Sequence, residues 1–247
     1  MGVPMPIVLS SRALPAILAV GVLTAASAAP PARADGPAQQ RHPRAIPAEI
    51  YAQPFSWQGL YFGASLGYGR GHSTHTYDRN DNHGAATQDL AGFAGSLTAG
   101  YNWMLTPSFL FGVEGDLGFM DLNASDKTIF DGHIWKSQFG PLWGTMRARA
   151  GVTWGQTLVY GTGGLAFMGV DEIGYGDAAG QTAWNRSFRT GWALGAGVEY
   201  AISSRMTAKI EYLHMDFGSY AGLSENRENY TFENTANLVR AGLNFKF

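Results

Sequence analysis

The sequence predicts an all-β fold: an eight-stranded antiparallel up-and-down β-barrel that crosses a membrane with its strands. Three observations predict it. From Trp57 onward, apolar residues recur at every second position, the period of a strand and not of a helix. Eight such segments follow one another, at 57–71, 89–103, 109–121, 141–154, 157–169, 188–200, 206–217 and 237–247. All exceed the ~5–6 residues usual in globular strands and suffice for the ~9–11 that a tilted strand needs to cross a bilayer. The connections alternate, being short after segments two, four and six ("MLTPS", "GQ", "AISSR") and long and polar after one, three, five and seven. An even strand number with short periplasmic turns on one side and long extracellular loops on the other is the pattern of a transmembrane barrel.

The segments justify themselves in order. In "WQGLYFGASLGYGRG", Leu60, Phe62, Ala64, Leu66 and Tyr68 share one face, and Gly59, Tyr61, Gly63, Ser65, Gly67 and Gly69 the other. In "FAGSLTAGYNW", Phe93, Leu97, Ala99, Tyr101 and Trp103 alternate with Ala94, Ser96, Thr98, Gly100 and Asn102. "FLFGVEGDLGF" sets Phe109, Phe111, Val113, Leu117 and Phe119 against Gly112, Glu114, Asp116 and Gly118. Segment four carries "GTMRARAGV", segment seven "AKIEY" and segment eight "NLVRAGLNFKF", each with charges on the small-residue face. "TLVYGTGGLAFMG" alternates poorly and leaves the faces of 157–169 open.

A soluble lipocalin-like barrel also alternates, with its apolar face inward. Here the polar face is rich in Gly, Ala, Ser and Thr, side chains that fit a narrow eight-stranded lumen. The apolar face carries large aromatics near segment ends: Trp57, Tyr68, Trp103, Trp154, Trp192, Tyr200, Phe245 and Phe247. That placement matches interfacial girdles. The apolar face is therefore read as lipid-facing.

That orientation sends the mid-strand charges into the lumen. Glu114, Asp116, Arg147, Arg149, Glu211 and Arg240 fall at similar heights, and the hairpin of segments three and four places Glu114 and Asp116 opposite Arg147 and Arg149. Glu211 neighbours Arg240 in the last hairpin, while Lys209 and Glu199 sit lower, where they can pair with each other. An arginine facing lipid at the midplane costs about 2–4 kcal/mol, whereas one facing inward meets carboxylates in bidentate geometry. Arg189 lies near one end of segment six, and Asp216 is read as rim. Two roles stay open for this network: a plug or gate that controls leakage, or a filler that fixes packing and register.

The remaining features exclude more than they propose. Net charge is −2 and charged residues are 15%, so there is no electrostatic footprint for nucleic acid. The absence of cysteine excludes disulfides and cysteine-based zinc sites. His72, His75 and His83 share the first long loop with Asp78 and Asp81, a possible weak ligand site for a metal or haem against the simpler reading of a hydrophilic loop. His214, with Ser219 and Asp216 nearby in sequence, is weighed as a lipid-modifying esterase site and set aside, so no enzyme activity is expected. No cofactor and no metal are implied. Before the barrel, Arg12 precedes the run "ALPAILAVGVLTAASAA" with small-residue cleavage sites ending at Ala28 and Ala34. Residues 1–34 are expected to be a secretory signal peptide and 35–56 a flexible periplasmic leader, with the barrel at 57–247.

Taken together, "FSWQGLYFGASLGYGRG", "TAGYNW", "GVEGDLGF", "GTMRARAG", "YGTGGLAF", "GWALGAGVEYAI", "KIEYLHMDFG" and "VRAGLNFKF" resemble the small porin-family, opacity-type outer-membrane barrels of alphaproteobacteria, the group of the 25/31-kilodalton surface antigens and haem-binding relatives. The likeness spans about 57–247. It implies an outer-membrane location after export through the periplasm, contact with outer-membrane lipids and lipopolysaccharide, and a terminal aromatic, Phe247, read by the barrel-assembly machinery. It also implies a structural envelope role with surface presentation; the alternatives are a narrow porin for small solutes or a loop-mediated binder of haem or a host surface. The loops match least, and no peptidoglycan-binding domain is seen after the barrel.

Overall fold

A computed structural model describes residues 55–79, 82–124, 128–130, 133–175, 182–223 and 229–247. The expected signal peptide and all but the last two residues of the leader lie outside the described residues. The strands are β1 (Gly59–Arg79), β2 (Asn82–Met104), β3 (Phe109–Ala124), β4 (Thr128–Phe130), β5 (His133–Trp154), β6 (Thr157–Tyr175), β7 (Thr182–Ala201), β8 (Met206–Leu223) and β9 (Asn229–Lys246). Consecutive strands pair antiparallel except β3 and β4, β3 pairs directly with β5, and β1 pairs with β9 to close the sheet. β3 and the short β4 both pair with β5 and form one interrupted wall, so the barrel has eight walls. Closure leaves no edge, so backbone N–H and C=O groups find partners inside the sheet where lipid offers none.

The outward face is the one the period-two pattern gave. Leu60, Phe62, Leu66, Tyr68, Phe93, Leu97, Leu117, Phe119 and Met146 are exposed, while Tyr61, Ser65, Ser96, Thr98, Glu114, Asp116, Arg147 and Arg149 are buried in the lumen. The undecided strand resolves as well: in β6, Leu158, Tyr160, Thr162, Ala166 and Met168 point inward, and Val159 and Leu165 outward. Its pattern was blurred because apolar residues occupy both faces.

Three expectations change. First, the strands run well past the expected boundaries. The region expected as loop 72–88 continues the β1–β2 ladder, with His72 opposite Asp89, Thr74 opposite Thr87 and Arg79 opposite Asn82. Beyond the bilayer a sheet needs no apolar outer face, so the hydrophobic alternation fades while backbone pairing goes on. Second, above the charged residues the lumen is not lined by small side chains. Leu90, Met120, Leu122, Phe139, Trp143, Met168, Val170, Leu213, Met215, Phe217 and Leu238 fill it as an apolar core. Gly71 makes room for it: a Cβ there would lie 2.6 Å from the Phe139 ring. Third, Trp57 does not join the outer girdle. It is 5% exposed, whereas Trp154 is 66% exposed. Trp57 precedes β1, so strand parity does not apply to it, and it turns into the periplasmic end of the barrel beside Leu110, Leu158, Tyr160 and Ala201.

Irregularities are local. The two-residue turn between β5 and β6 uses Gly155 at φ +58°, the left-handed region that tight hairpins demand. In β8 the register with β9 shifts between Asp216 and Ser219, with Gly218 at φ +64° between them. A bulge there exchanges the faces of the strand's last residues.

The orientation is testable through a midplane charge. Leu97→Arg on the outer wall is expected to destabilise the barrel by about 2–4 kcal/mol in urea titrations of folding into lipid vesicles. Ser108→Arg, in the exposed turn between β2 and β3, should stay within about 0.5 kcal/mol of the parent.

Candidate functional site

Four walls deliver the charged side chains to one level of the lumen. β3 brings Glu114 and Asp116, β5 Arg147 and Arg149, β8 Lys209 and Glu211, and β9 Arg240; β7 adds Glu199 from below. Register explains the nearest pairs: Glu114 stands opposite Arg147 across β3–β5, and Glu211 opposite Arg240 across β8–β9. Asp116 stands opposite Thr145, and Arg149 opposite Gly112, so those two groups do not face each other as expected.

Arg147 is the hub. Its Nη2 donates to Glu114 Oε1 at 2.5 Å and to Asp116 Oδ2 at 2.7 Å, and its Nη1 to Glu211 Oε1 at 3.1 Å. Three carboxylates from two distant walls thus converge on one guanidinium. Arg240 completes the circuit from the far side, donating from Nε to Glu211 Oε2 at 2.6 Å and from Nη2 to Asp116 Oδ2 at 2.9 Å. Arg149 reaches down to Glu199 at 2.8 Å and up to the Tyr61 hydroxyl at 2.8 Å, with its guanidinium 4.1 Å from the centroid of the Tyr160 ring. Lys209 pairs with Glu114 at 3.3 Å, not with Glu199 as expected. Glu199 instead accepts from Arg149, Thr207 and Asn244, because β5, β8 and β9 bring those donors to the lower level.

Neutral partners complete the layer. Thr98 and Thr145 donate to the two oxygens of Asp116 at 2.6 and 3.0 Å, Tyr61 to Glu114 at 2.7 Å, and Tyr160 to Glu211 at 3.3 Å. Sequence reading placed Tyr61, Thr98 and Ser96 on the lumen face without assigning them to the network. The signal for Tyr61 was its size on a face otherwise made of Gly and Ser, and a Cβ at Gly100 would lie 2.3 Å from its hydroxyl, so Gly100 keeps that space open. The network's charged members are at most 4% exposed. Four cations (Arg147, Arg149, Lys209, Arg240) meet four carboxylates (Glu114, Asp116, Glu199, Glu211), and the layer carries no net charge. Arg189 stands apart at the upper level, its guanidinium 3.7 Å from the centroid of the Tyr220 ring.

The histidines do not converge. His72 points outward and pairs with Asp89 at 2.7 Å, while His75 points inward against Ser137 at 3.2 Å and the Phe232 ring. Positions three apart on a strand project from opposite faces, so β1 separates the pair; the side chain of His83 lies outside the described ones. Among the described residues no group of three or more His, Asp or Glu is placed to hold a metal ion. His214 sits on the outer wall, half-buried, with its ring nitrogen 2.8 Å from Asn237 Oδ1. Phe247 is exposed on the outer face, edge-on to Phe62 and Phe245, and its N–H donates to the Leu60 carbonyl.

Known proteins match this architecture. The family described as outer membrane protein beta-barrel domain matches residues 16–247. The 31 kDa outer-membrane immunogenic protein of Brucella melitensis biotype 1 is 36% identical over 83% of this chain and 88% of its own length. The 22 kDa outer membrane protein of Rhizobium leguminosarum bv. viciae is 28% identical over 78% of this chain and 79% of its own. Among solved structures, the outer membrane protein OprG from Pseudomonas aeruginosa overlays 77% of this chain and 97% of its own at 13% identity, with a TM-score of 0.48.

Because Arg147 holds three buried carboxylates, Arg147→Ala is expected to cost about 3–5 kcal/mol by leaving four buried carboxylates to three cations. Arg205→Ala, in an exposed turn, should change stability by less than about 0.5 kcal/mol. A double-mutant cycle of Arg147→Ala with Glu114→Gln should return a clear coupling energy, and strictly additive losses would show that the two groups are energetically independent.

Proposed function

The chain belongs to the outer-membrane β-barrel family, and from that premise we propose that it is a structural envelope barrel with a sealed lumen, which presents its extracellular hairpins at the cell surface. It resides in the outer membrane. The observation that carries the reading is the charge layer. Its four cations and four carboxylates are mutually compensated and buried, so the layer offers a passing ion neither an unpaired counter-charge nor a wet path. A selective pore lines its constriction with rings of one sign, accessible to water. Here the signs alternate and each cation donates to a protein carboxylate. Above the layer, the apolar core around Trp143 and Phe139 adds a second barrier, since both side chains are fully buried.

The other parts of the proposal follow from the outer wall. Exposed apolar side chains between Tyr68, Phe93 and Phe119 on one side and Trp103, Trp154 and Tyr200 on the other form a band for lipid contact, with lipopolysaccharide at its extracellular border. Phe247, exposed at the end of β9, suits recognition by assembly machinery during insertion. No catalytic role is proposed: in the described lumen each carboxylate is engaged by a cation, and His214 is engaged by Asn237.

Planar-bilayer recordings test the sealed lumen. The parent protein is expected to give no discrete channels. Glu114→Ala removes a carboxylate shared by Arg147, Arg149 and Lys209 and should raise the frequency of conducting events. Stable channels in the parent protein would replace the structural reading with that of a narrow solute pore.

A further inference from the structure

The residues just before β1 form no strand, yet they are tied to the lower barrel by packing and hydrogen bonds. Trp57 is buried against Leu110, Leu158, Tyr160 and Ala201, which line the periplasmic end of the lumen, and Phe55 and Met104 pack on the same cluster. Its indole Nε1 donates to the Gly155 carbonyl in the β5–β6 turn at 3.2 Å. Its own carbonyl accepts from Asn102 Nδ2 at 3.2 Å, from the far end of β2. On either side of it, the Ser56 and Gln58 carbonyls both accept from the Lys246 ammonium, the latter at 2.8 Å. Phe55 closes the arrangement, its ring 5.1 Å from the same ammonium and 4.7 Å from the Trp57 ring, edge to face.

We propose that residues 55–58 are a displaceable stopper that closes the periplasmic mouth of the barrel, with Trp57 as its plug and Lys246 as its latch. Several features fit a stopper and not merely a strand end. The segment precedes the first ladder pairs, Gly59 with Asn102 and Tyr61 with Lys246, so it can withdraw without breaking a backbone bond of the sheet. Its contacts come from separate walls, β2, β3, β6 and β9, and from the β5–β6 and β7–β8 ends, so the indole and the backbone on either side of it together span the opening. The latch is a lysine on the lumen face of β9 that donates to two backbone carbonyls and has no carboxylate within salt-bridge distance among the described residues. A lysine so placed holds the backbone of whatever segment fills the mouth. Withdrawal would bare an apolar pocket the size of an indole, floored by Leu110, Leu158 and Tyr160 directly beneath Arg149 and Glu199. This seal does not depend on whether the charge layer above it conducts.

The chain has no cysteine, so a single introduced thiol reports access without background. Ala201→Cys places that thiol beside Trp57 in the mouth; Ser203→Cys, in the exposed turn, is the accessible control. The full-length protein, folded in detergent micelles, is treated with a charged methanethiosulfonate reagent, and heat-modifiable gel migration confirms that each variant is folded. A201C should label slowly relative to S203C. Adding Trp57→Ala, or separately Lys246→Met, should speed A201C labelling by roughly tenfold or more, as local protection is lost, and leave S203C unchanged. The Lys246→Met variant keeps the test decisive if Trp57→Ala does not fold. Labelling of A201C at the S203C rate in the parent background would overturn the proposal, as would folded Trp57→Ala and Lys246→Met variants that leave A201C protected.

Discussion

A charge buried at the level of a bilayer must be matched, and that constraint organises this barrel. Desolvating a guanidinium, an ammonium or a carboxylate costs several kcal/mol per ion, and eight such groups are buried together in the lumen. The cost is tolerable only because every cation meets a carboxylate and the sum is zero. Neutrality in turn depends on register. A slip of one residue in β3 or β5 would send Glu114 or Arg147 to the lipid face, where an arginine costs about 2–4 kcal/mol. The network therefore contributes little as net attraction and much as a penalty on every wrong alignment of the walls. Arg147 illustrates this best, since its partners on β3 and β8 can be reached together only if all the walls between them are in place.

Along their length the strands pass through three surroundings, and each has left a different mark on the residues. At the periplasmic end, aromatics and aliphatics pack around Trp57. In the middle, polar and charged groups face inward while Leu, Phe and Met face lipid. Above Asp116 and Arg240 the inward face turns apolar again, with Leu122, Phe139, Trp143 and Met215 in close contact. A water-exposed barrel needs an apolar inside and tolerates a polar outside; a lipid-exposed one tolerates the reverse. The inward face makes that exchange between Arg147 and Trp143 on β5, while the outward face stays apolar past this level, at Phe119 and Phe93.

That exchange explains what was legible in the sequence. The eight walls, their order and the outward face of the membrane-crossing segments other than 157–169 could be read because lipid imposes an apolar stripe at every second residue. Glu114, Asp116, Arg147, Arg149, Glu211 and Arg240 could be placed in one layer because hairpin parity fixes which face a residue joins and turn length fixes its height. The partners of Lys209 and Glu199 were not legible. Both sit low in the lumen, and which acid a lysine reaches depends on side-chain paths across the interior, which β-periodicity does not encode. The extended strand ends were missed for a related reason: Thr74 opposite Thr87 pairs as well as any residues in the sheet, yet two polar faces carry no alternation to detect.

Trp57 was misplaced for a more instructive reason. Parity assigns a residue to a face only while the chain is a strand, and a tryptophan at a segment boundary suits both an interfacial girdle and a buried plug. What decides between them is the supply of partners. An indole at the membrane surface satisfies its N–H with water or lipid headgroups, whereas one in the mouth requires a protein acceptor and an apolar seat. Gly155 supplies the acceptor through a turn that only a left-handed residue closes, and the inward-facing Leu110, Leu158 and Ala201 supply the seat. These groups come from β3, β6 and β7, far apart in sequence. The location of a single side chain outside the ladder is thus set by the closure of the barrel, and it becomes predictable only after the strand faces are known.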